Sequence, residues 1–338
     1  MGVNITKIVP RNRTTFKALS GKVIALDAYN TIYQFLAIIR DYRGQPLRDR
    51  DGRATSHLSG LFYRNISLMA EGIKPVYVFD GVPPEKKRGE IDRRIKIKKE
   101  SRVKYLEALA EERYEEAKKH ASASSTLEDY MVVDAKRLLA LMGIPVVEAP
   151  AEGEAQAGYI VKRGDAWASG SQDYDSLLFG SPRVVRNITL TGKRHYPSKQ
   201  IAVKLEPEII ELERVLLKHK LTREQLVDVG ILVGTDYNAG VRGLGPVKAL
   251  QAINRHGRIE DIPGIEERIS TAEVEEVRRI FLNPEVTERY NTDIEEPDED
   301  GVEEFLCGEK SFSEDRVRKA LSKLPGKGVE GTLDKWFS

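Results

Sequence analysis

Seven acidic residues stand where an α/β chain would place its chemistry. Asp27 closes the apolar run VIAL and Asp80 closes VYVF; Glu152 and Glu154 follow IPVV, Asp173 and Asp175 follow the run around Ala168, and Asp236 follows GILVGT. In open α/β sheets ligands bind outside the carboxyl ends of the strands, so acids from these places converge on one rim. The doublets Glu152–Glu154 and Asp173–Asp175 have i, i+2 spacing, which in extended backbone turns both side chains to one side, as a turn could also do. Like charges about 4 Å apart repel by a few kcal/mol at an effective dielectric near 20, so the cluster calls for a cation at its centre. Oxygen-only ligands suit Mg²⁺ or Mn²⁺, and more carboxylates than one ion needs suggest two ions. Two such ions roughly 3.5 to 4 Å apart clamp the attacking and leaving oxygens of a phosphoryl displacement and lower the pKa of bound water, which implies phosphodiester hydrolysis. A single Asp is more often a turn residue or a helix cap. Acids at four strand ends together are much harder to explain that way.

Cations follow the second of these strands. After Asp80 and a rigid Gly-Val-Pro-Pro exit, residues 85 to 104 carry ten Lys or Arg against four acids. Lys87 and Arg94, seven apart, share a face on a helix and are placed to grip a scissile phosphate and offset charge in the transition state. A second nucleic-acid element is VRGLGPVKAL, 241 to 250. Gly243 and Gly245 free the backbone for a tight turn, and the following helix offers its N-terminal amides and Lys248 to a phosphate, flanked by Arg242. This reads as a helix-hairpin-helix over 222–256, which holds duplex backbone without reading bases. Tyr33, six residues after Asp27, is placed to stack on a base.

The elements that must position these residues read as α/β with a central, mostly parallel sheet and helices on both faces. Strands are expected at Val23 to Leu26, Val76 to Phe79, Ile144 to Val147 and Ala166 to Ala168, and helices at Leu58 to Met69, Asp134 to Leu141, Glu154 to Val161 and Glu224 to Val233. Thr222 and Gln225 have capping-box spacing. The chain of 338 residues is 40% hydrophobic and 32% charged, with a net charge of +1, which excludes a disordered tail. That sum hides segregation, since residues 293 to 304 carry eight acids and no base. No run is apolar enough to span a membrane and no secretory pattern opens the chain, so a soluble, cytoplasmic protein is expected. One cysteine, Cys307, excludes an internal disulfide, and five scattered histidines do not suit zinc. A myristoylation pattern at Met1-Gly2 and sequons at Asn4, Asn65 and Asn187 are short enough to be chance matches.

In order along the chain, LDAYNTIYQFL, TSHLSGLFYR, GIKPVYVFDGVPP, LLALMGIPVVEAPAEGEAQA, SQDYDSLLFG, ILVGTDYNAGVRGLGPVKAL and FLCGEKSFSEDRVRK resemble the signatures of flap endonucleases of the FEN/XPG structure-specific nuclease family, of archaeal type. The resemblance implies a Mg²⁺-dependent 5′ flap endonuclease with 5′ to 3′ exonuclease activity, acting at single-strand to double-strand junctions in lagging-strand maturation and repair. Two ions are implied, Asp27, Asp80, Glu152 and Glu154 around the first and Asp173, Asp175 and Asp236 around the second. The resemblance also makes Lys87 and Arg94 the phosphate-gripping pair at the base of a helical arch, and Tyr33 the stacking aromatic. Arg40, Arg64 and Gly234 match DNA-contact positions, Glu152 and Asp236 lie at the DNA as well, and Lys310 falls in a segment that helps hold a 3′ flap. The implied organisation is a nuclease region at 1–98 with the arch from about 84, an internal region at 116–258, a C-terminal wrap at 259–325 and a tail at 326–338. In that tail GTLDKWFS resembles a motif for the sliding clamp (PCNA), with Leu333, Trp336 and Phe337 as anchors and Glu330 where a glutamine is expected. A monomer acting on branched DNA with 5′ flaps is expected. Other readings of the residues are a bubble-cutting repair nuclease, a ribonuclease using the same rim, and a non-catalytic, clamp-tethered scaffold that binds junctions without turnover.

Overall fold

Alternation within two strands sets the layers. In β2 (Val23–Asp27) Ile24 and Leu26 point to one face and Ala25 to the other; in β3 (Lys74–Phe79) Tyr77 and Phe79 oppose Val76 and Val78. Both faces are apolar, as a strand buried from two sides requires. One face is covered by α1 (Ala28–Ile38), α2 (Ser56–Ala70) and α3 (Asp129–Leu141), the other by α4 (Gly153–Arg163). The computed structural model describes residues 2–82, 100, 127–189, 193–196 and 201–324, with backbone alone at 193–196 and 201–204. The expected arch with Lys87 and Arg94, and the tail with Leu333, Trp336 and Phe337, lie outside the described residues.

Seven strands form one sheet in the order β1-β9-β6-β5-β2-β3-β4, where β1 is Asn12–Arg13, β4 Val146–Glu148, β5 Ala168–Gly170, β6 Arg183–Arg186 and β9 Glu208–Glu211. The central strands β6, β5, β2, β3 and β4 are mutually parallel, while β9 runs antiparallel to β6 and to β1. A separate ribbon pairs β7 (Lys193–Tyr196) with β8 (Ile201–Lys204). The mostly parallel sheet with helices on both faces is borne out. Two expected strands are displaced by two residues or so, to 146–148 and 168–170. Pro145 and the apolar Ile144 lead into the first of these. Gly170 ends β5 beside Leu26, whose Cδ2 would lie 2.4 Å from any added Cβ, so only a glycine admits this spacing.

The regions expected at 1–98 and 116–258 contribute strands to the same sheet. A second core lies under α7 (Arg223–Val233), α8 (Pro246–His256) and α9 (Thr271–Leu282), with the short α5 (Asp175–Leu178) and α6 (Leu212–His219) beside them. The chain then returns to the first core, where Val302 of α10 (Glu299–Glu303), Phe305 of a π-helical turn (Glu304–Glu309) and Val317 of α11 (Glu314–Leu321) pack under α2 and α3. The 259–325 segment therefore ties the two cores together. No described helix is long and apolar enough to cross a membrane.

Candidate active site

The acids lie at and beyond the carboxyl ends of β2, β3 and β5, and local contacts hold five of them. Asp27 ends β2 and caps α1, its Oδ1 accepting the Asn30 amide at 2.9 Å. Asp80 follows β3, and its Oδ1 accepts the Gly153 amide at 2.6 Å. Glu152 is the N-cap residue of α4, 7% exposed, and Glu154 lies in the first turn of that helix. The helix N-terminus favours negative charge there. Asp173 Oδ2 accepts from Asn30 Nδ2 at 3.2 Å, which ties the loop after β5 to α1. Asp175 opens α5, is buried, and accepts the Val3 amide at 2.8 Å. Asp236 is buried in the turn after α7. The doublets are not extended: Glu152–Glu154 straddles a helix start and Asp173–Asp175 a turn into a helix. Convergence comes from helix and turn geometry instead of strand alternation.

Electrostatics shows how close the acids lie. Burial raises the Glu154 carboxyl well above its ordinary value, and Asp175, Asp27 and Asp173 raise it further. Ser176 Oγ donates to Glu154 Oε1 at 3.0 Å, and Ser171 Oγ donates to the same oxygen. The Tyr237 hydroxyl is likewise pushed up, by burial first and then by Glu152, Asp175, Glu154 and Asp236. One phenol thus feels acids from three loops. Among the described residues, no three acidic, histidine or cysteine side chains are drawn tightly enough around one point to enclose an ion as they stand. The donor set nevertheless fits divalent metal ions chemically: it is all carboxylate, it is gathered from several strand ends, and Glu154 lies half-buried among like charges that a cation would offset.

The helix-hairpin-helix is present as α7 and α8. Thr222 and Gln225 form a reciprocal capping box, and Pro246 opens α8. Gly243 has φ 87°, Arg242 and Lys248 are exposed, and the Arg242 carbonyl accepts from Arg268. At Gly234, with φ 103°, an added Cβ would lie 2.9 Å from the Ala239 carbonyl oxygen, so this position is closed to side chains. Tyr33 is half-buried on α1, and Arg40 binds the Ala37 and Gly44 carbonyls at 3.2 and 2.9 Å.

Two residues expected at the DNA are largely buried in this chain. Arg64 is buried, its Nε donating to the Ile188 carbonyl at 2.8 Å and its guanidinium 4.6 Å from the Phe16 ring; burial lowers its pKa to about 10. Lys310 is buried too, bonded to Asp134 at 2.6 Å. Each finds its partner, the Ile188 carbonyl and Asp134, more than a hundred residues away, which spacing along the chain does not reveal.

Sequence models of the XPG N-terminal domain and the XPG I-region match residues 3–101 and 143–236. Flap endonuclease 1 of Pyrococcus horikoshii is 50% identical over 341 residues, spanning 100% of this chain and 98% of that protein. The Archaeoglobus fulgidus protein of the same name is 50% identical over the full length of both. The chain belongs to the flap endonuclease 1 family. It is a structure-specific flap endonuclease, a hydrolase of a family that works with divalent metal ions. The solved flap endonuclease-1 from Methanococcus jannaschii aligns over 96% of this chain and 98% of its own, with 43% identity and a TM-score of 0.76. The catalytic core of Rad2 in complex with DNA substrate shares the fold, at 22% identity and a TM-score of 0.68 over 95% of this chain and 97% of that one.

Several residues of this nuclease site escaped sequence reasoning. Arg186 donates to the Gln172 carbonyl at 3.1 Å and to the Tyr174 hydroxyl at 2.7 Å, bracing the loop that carries Asp173. Tyr237 adjoins Asp236 but reads as an ordinary core aromatic. Gly2 lies so close that an added Cβ would meet Asp175 Oδ2 at 2.5 Å, and Val3 beside it is buried. Adjacency to an acid was the available signal for Tyr237; Arg186 and Gly2 had none.

Proposed function

We propose that the rim works with two Mg²⁺ ions, Mn²⁺ substituting, with Asp27, Asp80, Glu152 and Glu154 serving the first and Asp173, Asp175 and Asp236 the second. The observation that carries this reading is the meeting of acids from separate strand ends around the half-buried Glu154. Bound there, the ions would supply a low-pKa water and a clamp for the phosphodiester oxygens. The chain's own residues do the positioning. Asn30 fixes Asp27 through its amide and Asp173 through its side chain, and Gly153 fixes Asp80, so three strand ends keep a constant relation. Arg242, Gly243, Gly245 and Lys248 would hold duplex backbone, Tyr33 and Arg40 would lie along the DNA near the cut, and Lys87 with Arg94 would grip the scissile phosphate. Gly234 keeps the turn before Asp236 tight.

The substrate would be branched DNA with a 5′ flap, cut as a monomer in the cytoplasm during replication and repair, with 5′ to 3′ exonuclease activity on nicks. Leu333, Trp336 and Phe337 would dock on the sliding clamp, weakened by Glu330. Single-turnover cleavage of a 5′-labelled double-flap DNA, with Mg²⁺ and with chelator, tests this reading beside Asp173→Ala. Metal-dependent incision at the junction, lost in the variant while junction binding persists, is the expected result. Turnover retained by the variant would refute the ligand assignment, and tight binding with no product from either protein would leave a junction-binding scaffold.

A further inference from the structure

The helix that carries Glu152 and Glu154 is held by a distant part of the chain. Between α9 and α10 residues 284–298 form neither helix nor strand, and this strap runs along α4. It meets the helix near its start. There the wholly buried Gln156 makes two hydrogen bonds with a single residue, its Oε1 accepting the Thr287 amide at 2.7 Å and its Nε2 donating to the Thr287 carbonyl at 2.9 Å. The side-chain amide thus stands in for a neighbouring strand, satisfying a donor and an acceptor together. One turn further on, the Tyr159 hydroxyl donates to Glu288 at 3.2 Å. Beyond the far end of the helix the Tyr290 hydroxyl donates to Asp165 at 2.6 Å, and its ring packs on the core under α4. The strap is fixed at both ends: α9 belongs to the second core, and the Glu295 and Asp298 amides donate to the Gly143 and Leu141 carbonyls at 2.9 and 2.8 Å.

The grip at Gln156 falls on the turn that bears the acids. Glu154 precedes Gln156 by two residues, and the Gln156 amide donates to the Glu152 carbonyl at 3.1 Å. Asp175, Asp27 and Asp173 are the charged neighbours of Glu154, and like charge drives that turn away from the rim until cations offset it. Toward the sheet, the Gly153 amide ties the turn to Asp80. Gln156 supplies the second tie, to the strap. We propose that Gln156 is a positioning residue for cleavage: through Thr287 the strap holds the first turn of α4, so that Glu152 and Glu154 are in place before a divalent cation arrives. The proposal rests on the acidic rim being the metal site. Support of this kind raises affinity by removing the cost of ordering the ligands.

A Gln156 that served the fold alone would leave metal affinity unchanged, and Tyr290 supplies the comparison, since it anchors the same strap away from the acids. The test measures Mn²⁺ binding to the full chain without DNA, from the EPR signal of the free ion, for wild type, Gln156→Met, Tyr290→Phe and Asp173→Ala. Methionine keeps the length of the side chain and removes both bonds. Gln156→Met should bind Mn²⁺ about tenfold more weakly, at the lower end of the losses seen when the support of a metal ligand is removed. The Mg²⁺ dependence of its single-turnover cleavage should shift by a similar factor, with a rate near wild type at saturating Mg²⁺. Tyr290→Phe should bind as wild type does. Wild-type affinity in Gln156→Met, or an equal loss in Tyr290→Phe, would overturn the proposal. Should Gln156→Met not fold, Thr287→Pro decides, because it deletes the strap's amide and leaves α4 unchanged: weaker Mn²⁺ binding supports the proposal and wild-type binding refutes it. Wild type that binds Mn²⁺ no more tightly than Asp173→Ala would defeat the reading of the rim, and the proposal with it. Binding weakened in Asp173→Ala but not in Gln156→Met would defeat the proposal alone.

Discussion

The acidic rim and the α7–α9 brace bury carboxylates in opposite ways. At the rim, acids face acids, and neutral donors position five of them: the amides of Asn30, Gly153 and Val3, the Asn30 side chain, and the hydroxyls of Ser171 and Ser176. In the brace, Asp228 is buried against Arg278, which also binds Glu260. Burial pushes the Asp228 carboxyl up to about 6 against the pull of Arg278, so it stays ionised at neutral pH. Burial also works against the Arg278 charge, and Glu260 with Asp228 outweighs it. Charge that holds the fold is matched inside the protein. The rim acids, proposed above to hold metal ions, gather like charge instead.

Removing the cation from the brace should show the larger cost. Arg278→Ala leaves Asp228 buried and unmatched and should lower stability by about 3 to 4 kcal/mol in urea unfolding, with cleavage per folded molecule little changed. An effect below about 1 kcal/mol would mean the brace is not a matched pair in solution. At the rim, Gly153→Ala places a Cβ 2.6 Å from Asp80 Oδ1, and the displaced carboxylate should slow single-turnover cleavage roughly a hundredfold while leaving the melting temperature close to wild type. Unchanged cleavage would show that Asp80 tolerates movement.

His57 represents a third solution, a titratable group buried neutral. Its ring is wholly buried with neither nitrogen hydrogen-bonded, edge-on to Tyr130, and burial, then Lys310, lowers its pKa to about 3. The unfolded chain takes up a proton near pH 6.5 while the folded one does not. Stability from this group is therefore complete above pH 6.5 and is lost as pH falls toward 3, by a slope approaching about 1.4 kcal/mol per unit. Asp228 acts in the opposite sense, gaining stability as pH falls from about 6 to its unfolded 3.8. The difference between wild type and His57→Leu isolates the histidine: wild type should lose stability relative to the variant as pH drops from 6.5, and parallel curves would contradict a neutral buried ring. The smallest effect is expected at the cap, where Thr222→Ala should cost about 1 kcal/mol by removing the bond to the Gln225 amide; no loss would mean the hairpin does not depend on its box.

Much of this site was legible in the sequence because its signals are local. A strand-final acid declares itself by the apolar run before it, as at Asp27 and Asp80, and a capping box by two residues three apart. Gly243 and Gly245 announced a turn for the same reason. What escaped depends on residues distant along the chain. Arg64 and Lys310 matched DNA-contact segments but turn inward, to the Ile188 carbonyl and to Asp134. The spacing of the doublets suited an extended backbone or a turn alike, and the structure has a helix start and a turn.

By itself, then, the sequence determined the α/β class, the acids at the strand ends and the family, since each is carried by patterns a few residues long or by motifs in order. Tertiary structure alone decided which cations face inward, that Val3 secures Asp175, and that Gln156 bonds to Thr287. Such contacts join residues more than a hundred positions apart. Whether a charge finds a partner there is settled by burial and geometry, which no local spacing encodes.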